Sequence, residues 1–140
     1  MLLYNDKELS TLLSEVKTIA VVGAVDKPGR PVHDVGTTMK DMGFDIIPVH
    51  PKRTNVWGLT TYKSVTDIPV PVDVVDLFRA AQFCPEHARE VLTMDPLPKC
   101  FWMQSGVISP EAREILADSG ITVIEDRCLK VELQRFGITR

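Results

Sequence analysis

Five short apolar runs, rich in β-branched residues, constrain this chain more than any other feature. They are Thr18-Ile19-Ala20-Val21-Val22, Asp45-Ile46-Ile47-Pro48-Val49-His50, Val72-Asp73-Val74-Val75-Asp76-Leu77-Phe78, Cys100-Phe101-Trp102-Met103 and Ile121-Thr122-Val123-Ile124. In each, apolar residues fall on both parities. Side chains alternate across a strand, so such a run needs cover on both faces. The segments between the runs repeat their apolar residues at helical spacing. Strands covered on both sides and alternating with helices form a parallel sheet with helices on both faces. The expected fold is α/β, a five-stranded, mostly parallel, doubly wound sheet.

The helices carry their own punctuation. Asn5 is placed to cap a helix, Glu8 to complete a capping box, and Leu9, Leu12, Leu13 and Val16 follow on one face. Val32, Val35, Met39 and Met42 line a second helix, with Gly43 at its C′ position. A third opens at Pro85 and carries Ala88, Val91 and Leu92. Ser109-Pro110-Glu111 starts a fourth as N-cap, N1 proline and first-turn acid; Ala112, Ile115 and Leu116 face inward and Gly120 ends it. Leu129, Leu133 and Phe136 suggest a short final helix. Pro48 donates no ladder bond, which places it near a strand end, at a bulge or on an edge. The stretch from Pro51 to Pro71 is long for a loop, and Ser64-Val65-Thr66-Asp67 within it can cap one helical turn.

Length and charge narrow the function classes. With 140 residues the chain is read as one domain, 1–140, without room for a separate substrate domain. A net charge of −3 gives no pull toward nucleic acid or acidic membranes. No run approaches the roughly 18 apolar residues of a membrane span. Met1 to Asp6 has no basic segment leading into an apolar one, so no secretory signal is expected. Cys84, Cys100 and Cys128 are odd in number and far apart, which argues against a disulfide framework or zinc site and for a reducing cytoplasm.

In doubly wound sheets ligands bind beyond the carboxyl ends of the strands, where the strand order reverses. The first strand end reads Gly23-Ala24-Val25-Asp26-Lys27-Pro28-Gly29-Arg30. A glycine there permits a tight turn, a following helix N-terminus suits phosphate, and Lys27 and Arg30 are cationic. Neither G-x-G-x-x-G nor a Walker A loop is present, so a phosphate cradle and a plain turn with surface cations are equally supported. The second end, His50-Pro51-Lys52-Arg53, puts cations where a site for NAD has an acid; a solvated basic turn is the competing reading. The third has Phe78 and Arg79, with core packing the competing role for the Phe. The fourth, Gln104-Ser105-Gly106-Val107, is small and polar, and the fifth places Cys128 after Glu125-Asp126-Arg127. Catalytic constellations are poor. His33, His50 and His87 stand apart from Cys or carboxylate at metal spacing, and there is no G-x-S-x-G elbow.

The ordered set Ile19-Ala20-Val21-Val22-Gly23-Ala24, Lys27-Pro28-Gly29-Arg30-Pro31, Val49-His50-Pro51, Val72 to Arg79, Gln104 to Val107 and Asp126-Arg127-Cys128-Leu129-Lys130 resembles the small single-domain CoA-binding proteins, relatives of the CoA-binding domain of the succinyl-CoA synthetase alpha subunit. The resemblance covers nearly the whole chain. It implies a Rossmann-like fold and coenzyme A as the bound small molecule, without catalysis. It implies that Gly23, Ala24, Val25, Lys27 and Arg30 contact phosphates, that His50, Pro51 and Lys52 sit near the adenosine end, and that Gln104, Ser105, Gly106 and Val107 line the cleft. Two departures stand out: Val25 where the family usually has Ser, and His50 where it usually has Asn. Phe78 and Arg79 at the mouth and Cys128 near the cleft complete the expected site. The alternatives are an NADP-binding oxidoreductase and a partner-docking scaffold without ligand; protein partners are not legible.

Overall fold

The computed structural model describes residues 5–140. The reading of the leading residues Met1 to Tyr4 lies outside them. The chain runs α1 (Asp6–Ser14), β1 (Thr18–Val22), α2 (Pro31–Asp41), β2 (Asp45–Val49), β3 (Val74–Leu77), α3 (Cys84–Val91), β4 (Cys100–Met103), α4 (Pro110–Leu116), β5 (Thr122–Ile124) and α5 (Leu129–Arg135). The strands lie in the order β2-β1-β3-β4-β5, and every neighbouring pair is parallel. "Mostly parallel" thus becomes wholly parallel, in a Rossmann-like α/β fold.

The double parity of the apolar runs has its cause in two cores. Ile19, Val21, Val74, Trp102 and Ile124 face one way, against Leu9 and Leu13 of α1, Val35 and Met39 of α2, and Leu129 and Leu133 of α5. Ala20, Val22, Val75, Leu77, Phe101 and Met103 face the other way, against Ala88 and Val91 of α3 and Ala112 and Leu116 of α4. Trp102 and Phe101, adjacent in β4, are both fully buried, one in each core. Each such side chain contributes about 1.5–3 kcal/mol by leaving water.

Local signals act as their chemistry requires. The Asn5 side chain accepts from the backbone N–H of Lys7 at 2.8 Å and Glu8 at 3.3 Å. Ser109 caps α4 through the Ala112 N–H at 3.2 Å. Pro48 lies on the edge strand. Its carbonyl accepts from Tyr62 N–H at 3.1 Å, and His50 N–H donates to Tyr62 O at 2.9 Å, so the missing donor of Pro48 falls on the outer edge, where β1 loses no bond. The stretch from Pro51 to Pro71 folds as two 3-10 turns, Val56–Gly58 and Val65–Asp67, the second capped by Ser64 as its sequence suggests.

The third strand begins at Val74, two residues later than its apolar pattern. Asp73 is used otherwise: its carboxylate accepts from the N–H groups of Lys17 at 2.8 Å and Thr18 at 3.0 Å at the foot of β1. The order 2-1-3-4-5 sends the chain from β1 outward to β2 and then back across to β3. The reversal therefore lies between β1 and β3, and their carboxyl ends, Val22 and Leu77, flank the gap that the fold leaves open.

Candidate functional site

A cleft of about 630 Å³ opens at this reversal and receives residues from all five strand ends. From the loop after β1 come Gly23, Val25 and Arg30. Gly23 adopts φ +87°, and a Cβ there would lie 2.5 Å from the Phe78 carbonyl oxygen, so both conformation and space require glycine. The Gly23 and Ala24 N–H groups both donate to Val49 O, at 2.9 and 3.2 Å, which fastens the loop to β2. Ala24 is buried behind the loop and Lys27 is exposed outside the cleft lining. Among the described residues the N–H groups of Val25, Asp26 and Lys27 have no acceptor within the chain, leaving donors for an anion.

His50 lines the cleft after β2. Its Nδ1 accepts from the N–H groups of Lys52 at 3.1 Å and Arg53 at 3.2 Å. An asparagine side-chain oxygen would accept in the same way in an Asx turn, so the imidazole does locally what an Asn does. Burial, then the charges of Arg53, Arg79 and Lys52, hold its pKa below the ordinary histidine value. Pro51 lies outside the main cleft and lines a smaller hollow of about 150 Å³, which shares Gly23 and Arg79 with it. Lys52 lines neither. Arg53 approaches Asp26 at 3.8 Å across the two loops, an exposed pair that contributes on the order of 0–1 kcal/mol.

Phe78, Arg79 and Ala80 form the wall after β3. The Arg79 guanidinium stacks 4.3 Å above the Phe83 ring, and its buried Nε has no hydrogen-bond partner among the described residues. Gln104, Ser105 and Val107 enter from the loop after β4. Gly106 is outside the lining; its N–H donates to Asp126 Oδ1 at 2.6 Å and ties this loop to the one after β5. Cys128, half-buried at the N-cap position of α5, closes the far side. The other thiols are elsewhere. Cys84 is buried and pushed up to about 11 by desolvation, which Arg79 opposes. Burial, then the nearby Asp76 charge, pushes the Cys100 thiol far up. Cys128 is therefore the cysteine that meets the cleft.

Sequence reasoning missed Val32 and Val35 as lining residues because their spacing reads only as a core face; one edge of that face also borders the cleft. Asp76, a carboxylate inside an otherwise apolar strand, lies outside the lining and touches it through Gln104. Among the described residues the lining holds Arg30, Arg79 and His50 and not one carboxylate. Such a wall favours an anionic ligand with an apolar portion to lie along Val25, Val35, Phe78 and Val107. No cluster of metal-ligating side chains occurs among the described residues. No helix among them is long and apolar enough to cross a membrane.

The profile of the CoA binding domain family matches residues 17–134, from the foot of β1 to the end of α5. The chain belongs to that family. The uncharacterized protein YneT of Bacillus subtilis is 40% identical over 124 residues, covering 89% of this chain and 90% of that one. An ADP-forming acetate–CoA ligase of Methanocaldococcus jannaschii is 31% identical over 70 residues, half of this chain but only 10% of the ligase. A protein of Thermus thermophilus with a solved structure superimposes with a TM-score of 0.88 at 39% identity, over 95% of this chain and 99% of that one. A hypothetical protein of Pyrococcus horikoshii OT3 does so with a TM-score of 0.90 at 31% identity, over 96% and 94%.

Proposed function

We propose that this CoA-binding domain holds coenzyme A, or an acyl-coenzyme A, in the cleft between β1 and β3 as a cytoplasmic, non-catalytic binding protein, the chain from 1 to 140 acting as one unit. The observation that carries the reading is a carboxylate-free, cation-bearing cleft at the strand-order reversal of a chain in this family. The unpaired N–H groups of Val25, Asp26 and Lys27, with Lys27 and Arg30, would receive the diphosphate. His50, Pro51 and Lys52 would flank the adenosine end, and Arg79 has an unused donor beside both hollows. Gln104, Ser105, Gly106 and Val107 would follow the pantetheine arm, with Phe78 opposite and Cys128 near its thiol. Val25 removes a hydroxyl that a serine would offer, which leaves the loop's N–H groups as the main phosphate donors. Catalysis has little to stand on here, since no acid–base pair lines the cleft and His50 Nδ1 is occupied by its turn. An NADP-dependent oxidoreductase has less support: the first loop lacks the dinucleotide fingerprint. Mass spectrometry of the ligand released from purified protein tests the reading. Coenzyme A or an acyl-coenzyme A is expected; release of NADP would overturn it.

A further inference from the structure

Asp76 stands in the middle of β3, between Val21 of β1 and Trp102 of β4, with no exposed surface. Its Oδ1 accepts from Gln104 Nε2 at 2.7 Å, and its Oδ2 has no partner among the described residues. Desolvation raises its pKa to about 8. A strand of this kind has no packing use for a carboxyl group, and an apolar residue of similar size would leave no orphaned oxygen. Among the described residues the side chain that hydrogen-bonds Asp76 is Gln104, the first residue after β4, itself 6% exposed and lining the cleft.

A carboxylate only accepts hydrogen bonds; a protonated carboxyl carries one O–H donor and still accepts at its carbonyl oxygen, the part that Oδ1 plays toward Gln104 Nε2. Bonded to Asp76, the Gln104 amide keeps its nitrogen inward and presents Oε1 outward. We propose that Asp76 is a positioning residue that holds the Gln104 carboxamide so that Oε1 faces the cleft as a fixed acceptor for a secondary-amide N–H of the pantetheine arm. The inference rests on the coenzyme A reading. The chemistry fits that part of the ligand. Phosphate oxygens are acceptors and would be repelled by Oε1, whereas each amide of the arm offers one N–H. The cleft residues Phe78, Val107 and Cys128 around the strand ends are uncharged, as the neutral arm requires.

The test measures the affinities of coenzyme A and of adenosine 3′,5′-bisphosphate, which lacks the arm, for the wild type, Asp76→Leu, Asp76→Asn, Gln104→Met and the Asp76→Leu/Gln104→Met double variant. Asp76→Leu and Gln104→Met are each expected to weaken coenzyme A roughly three- to tenfold, the loss of one neutral hydrogen bond. The double variant should lose no more than either single one, and Asp76→Asn, whose side-chain oxygen still accepts, should recover part of the affinity. Binding of the bisphosphate should hold within about twofold, a readout that general damage to the fold would move. Should Asp76→Leu fail to fold, Gln104→Met and Asp76→Asn still decide the matter. Equal losses for both ligands, additive losses in the double variant or unchanged coenzyme A affinity would overturn the role of Asp76 while leaving the coenzyme A reading intact. A wild type that binds no coenzyme A would overturn both.

Discussion

At the scale of single residues, two side chains in the cleft have testable chemistry. Cys128 is the thiol that meets the cleft, whereas Cys84 and Cys100 are buried. With coenzyme A disulfide, the Cys128 thiolate is expected to attack one sulfur, forming a protein–coenzyme A mixed disulfide and releasing one coenzyme A thiol. Intact mass should show one adduct that survives Cys84→Ser and disappears in Cys128→Ser; an adduct that persists without Cys128 contradicts the placement. His50 gives a pH signature. The fold favours its neutral ring, because Nδ1 accepts two backbone N–H bonds and the pKa is lowered. Its stabilisation is therefore fully present above the ordinary value of 6.5 and is lost as pH falls through the lower folded value. His50→Ala should cost about 0.5–2 kcal/mol at pH 8, as loss of a cap does. His50→Asn should keep most of that stability and remove the part of the pH slope that belongs to His50, read as the difference between wild-type and variant melting curves at pH 5 and 8, in which the titration of Asp76, common to both, cancels. A His50→Asn protein with the wild-type pH slope would assign the slope to other groups.

At the scale of elements, the proposed function assigns the adenosine phosphate to the cations at the end of β2. Lys52 lies outside the cleft lining and is exposed, so its contribution is small. Lys52→Ala is expected to weaken coenzyme A by about 1 kcal/mol or less, and 3′-dephospho-coenzyme A by still less. Equal losses in parallel titrations would show that Lys52 does not read the 3′-phosphate; the Lys52/Arg53 double substitution reports whether Arg53 shares the task. Elements were the most legible part of this chain. Apolar runs on both parities identify buried parallel strands because covering both faces is a local compositional demand; Pro48, which lacks a donor, left a strand end, a bulge and an edge open, and the edge is where it lies. The start of β3 was not legible. Asp73 serves Lys17 and Thr18, far away in sequence, and such a bond leaves no mark on local periodicity. The same holds for Trp57, whose indole donates to His33 Nδ1 at 3.1 Å. The topology rule pointed to the strand ends, but loops have no period, so it did not separate Val25 and Arg30, which line the cleft, from Lys27, which is exposed beside it.

At the scale of the whole molecule, contacts distant in sequence tie the helical layer beneath the cleft. Arg140 donates to the carbonyls of Leu13, Ser14 and Val16 at the end of α1, and its N–H donates to Met42 O after α2. Arg135 of α5 makes a bidentate pair with Asp6 of α1, at 2.9 and 3.0 Å. Arg140→Ala is expected to lower stability by about 1–2 kcal/mol through the orphaned helix carbonyls. Urea unfolding should show a lower midpoint with an unchanged slope, and an unchanged midpoint would mean that water replaces the guanidinium without cost. None of these ties touches the cleft lining, so ligand affinity should survive the substitution. On the proposed function, the cleft between β1 and β3 takes coenzyme A and not a dinucleotide. Calorimetric titration of the purified chain with coenzyme A and with NADP tests it most directly. Saturable one-to-one binding of coenzyme A, with NADP far weaker, is the predicted result; NADP binding of equal or greater strength would contradict it.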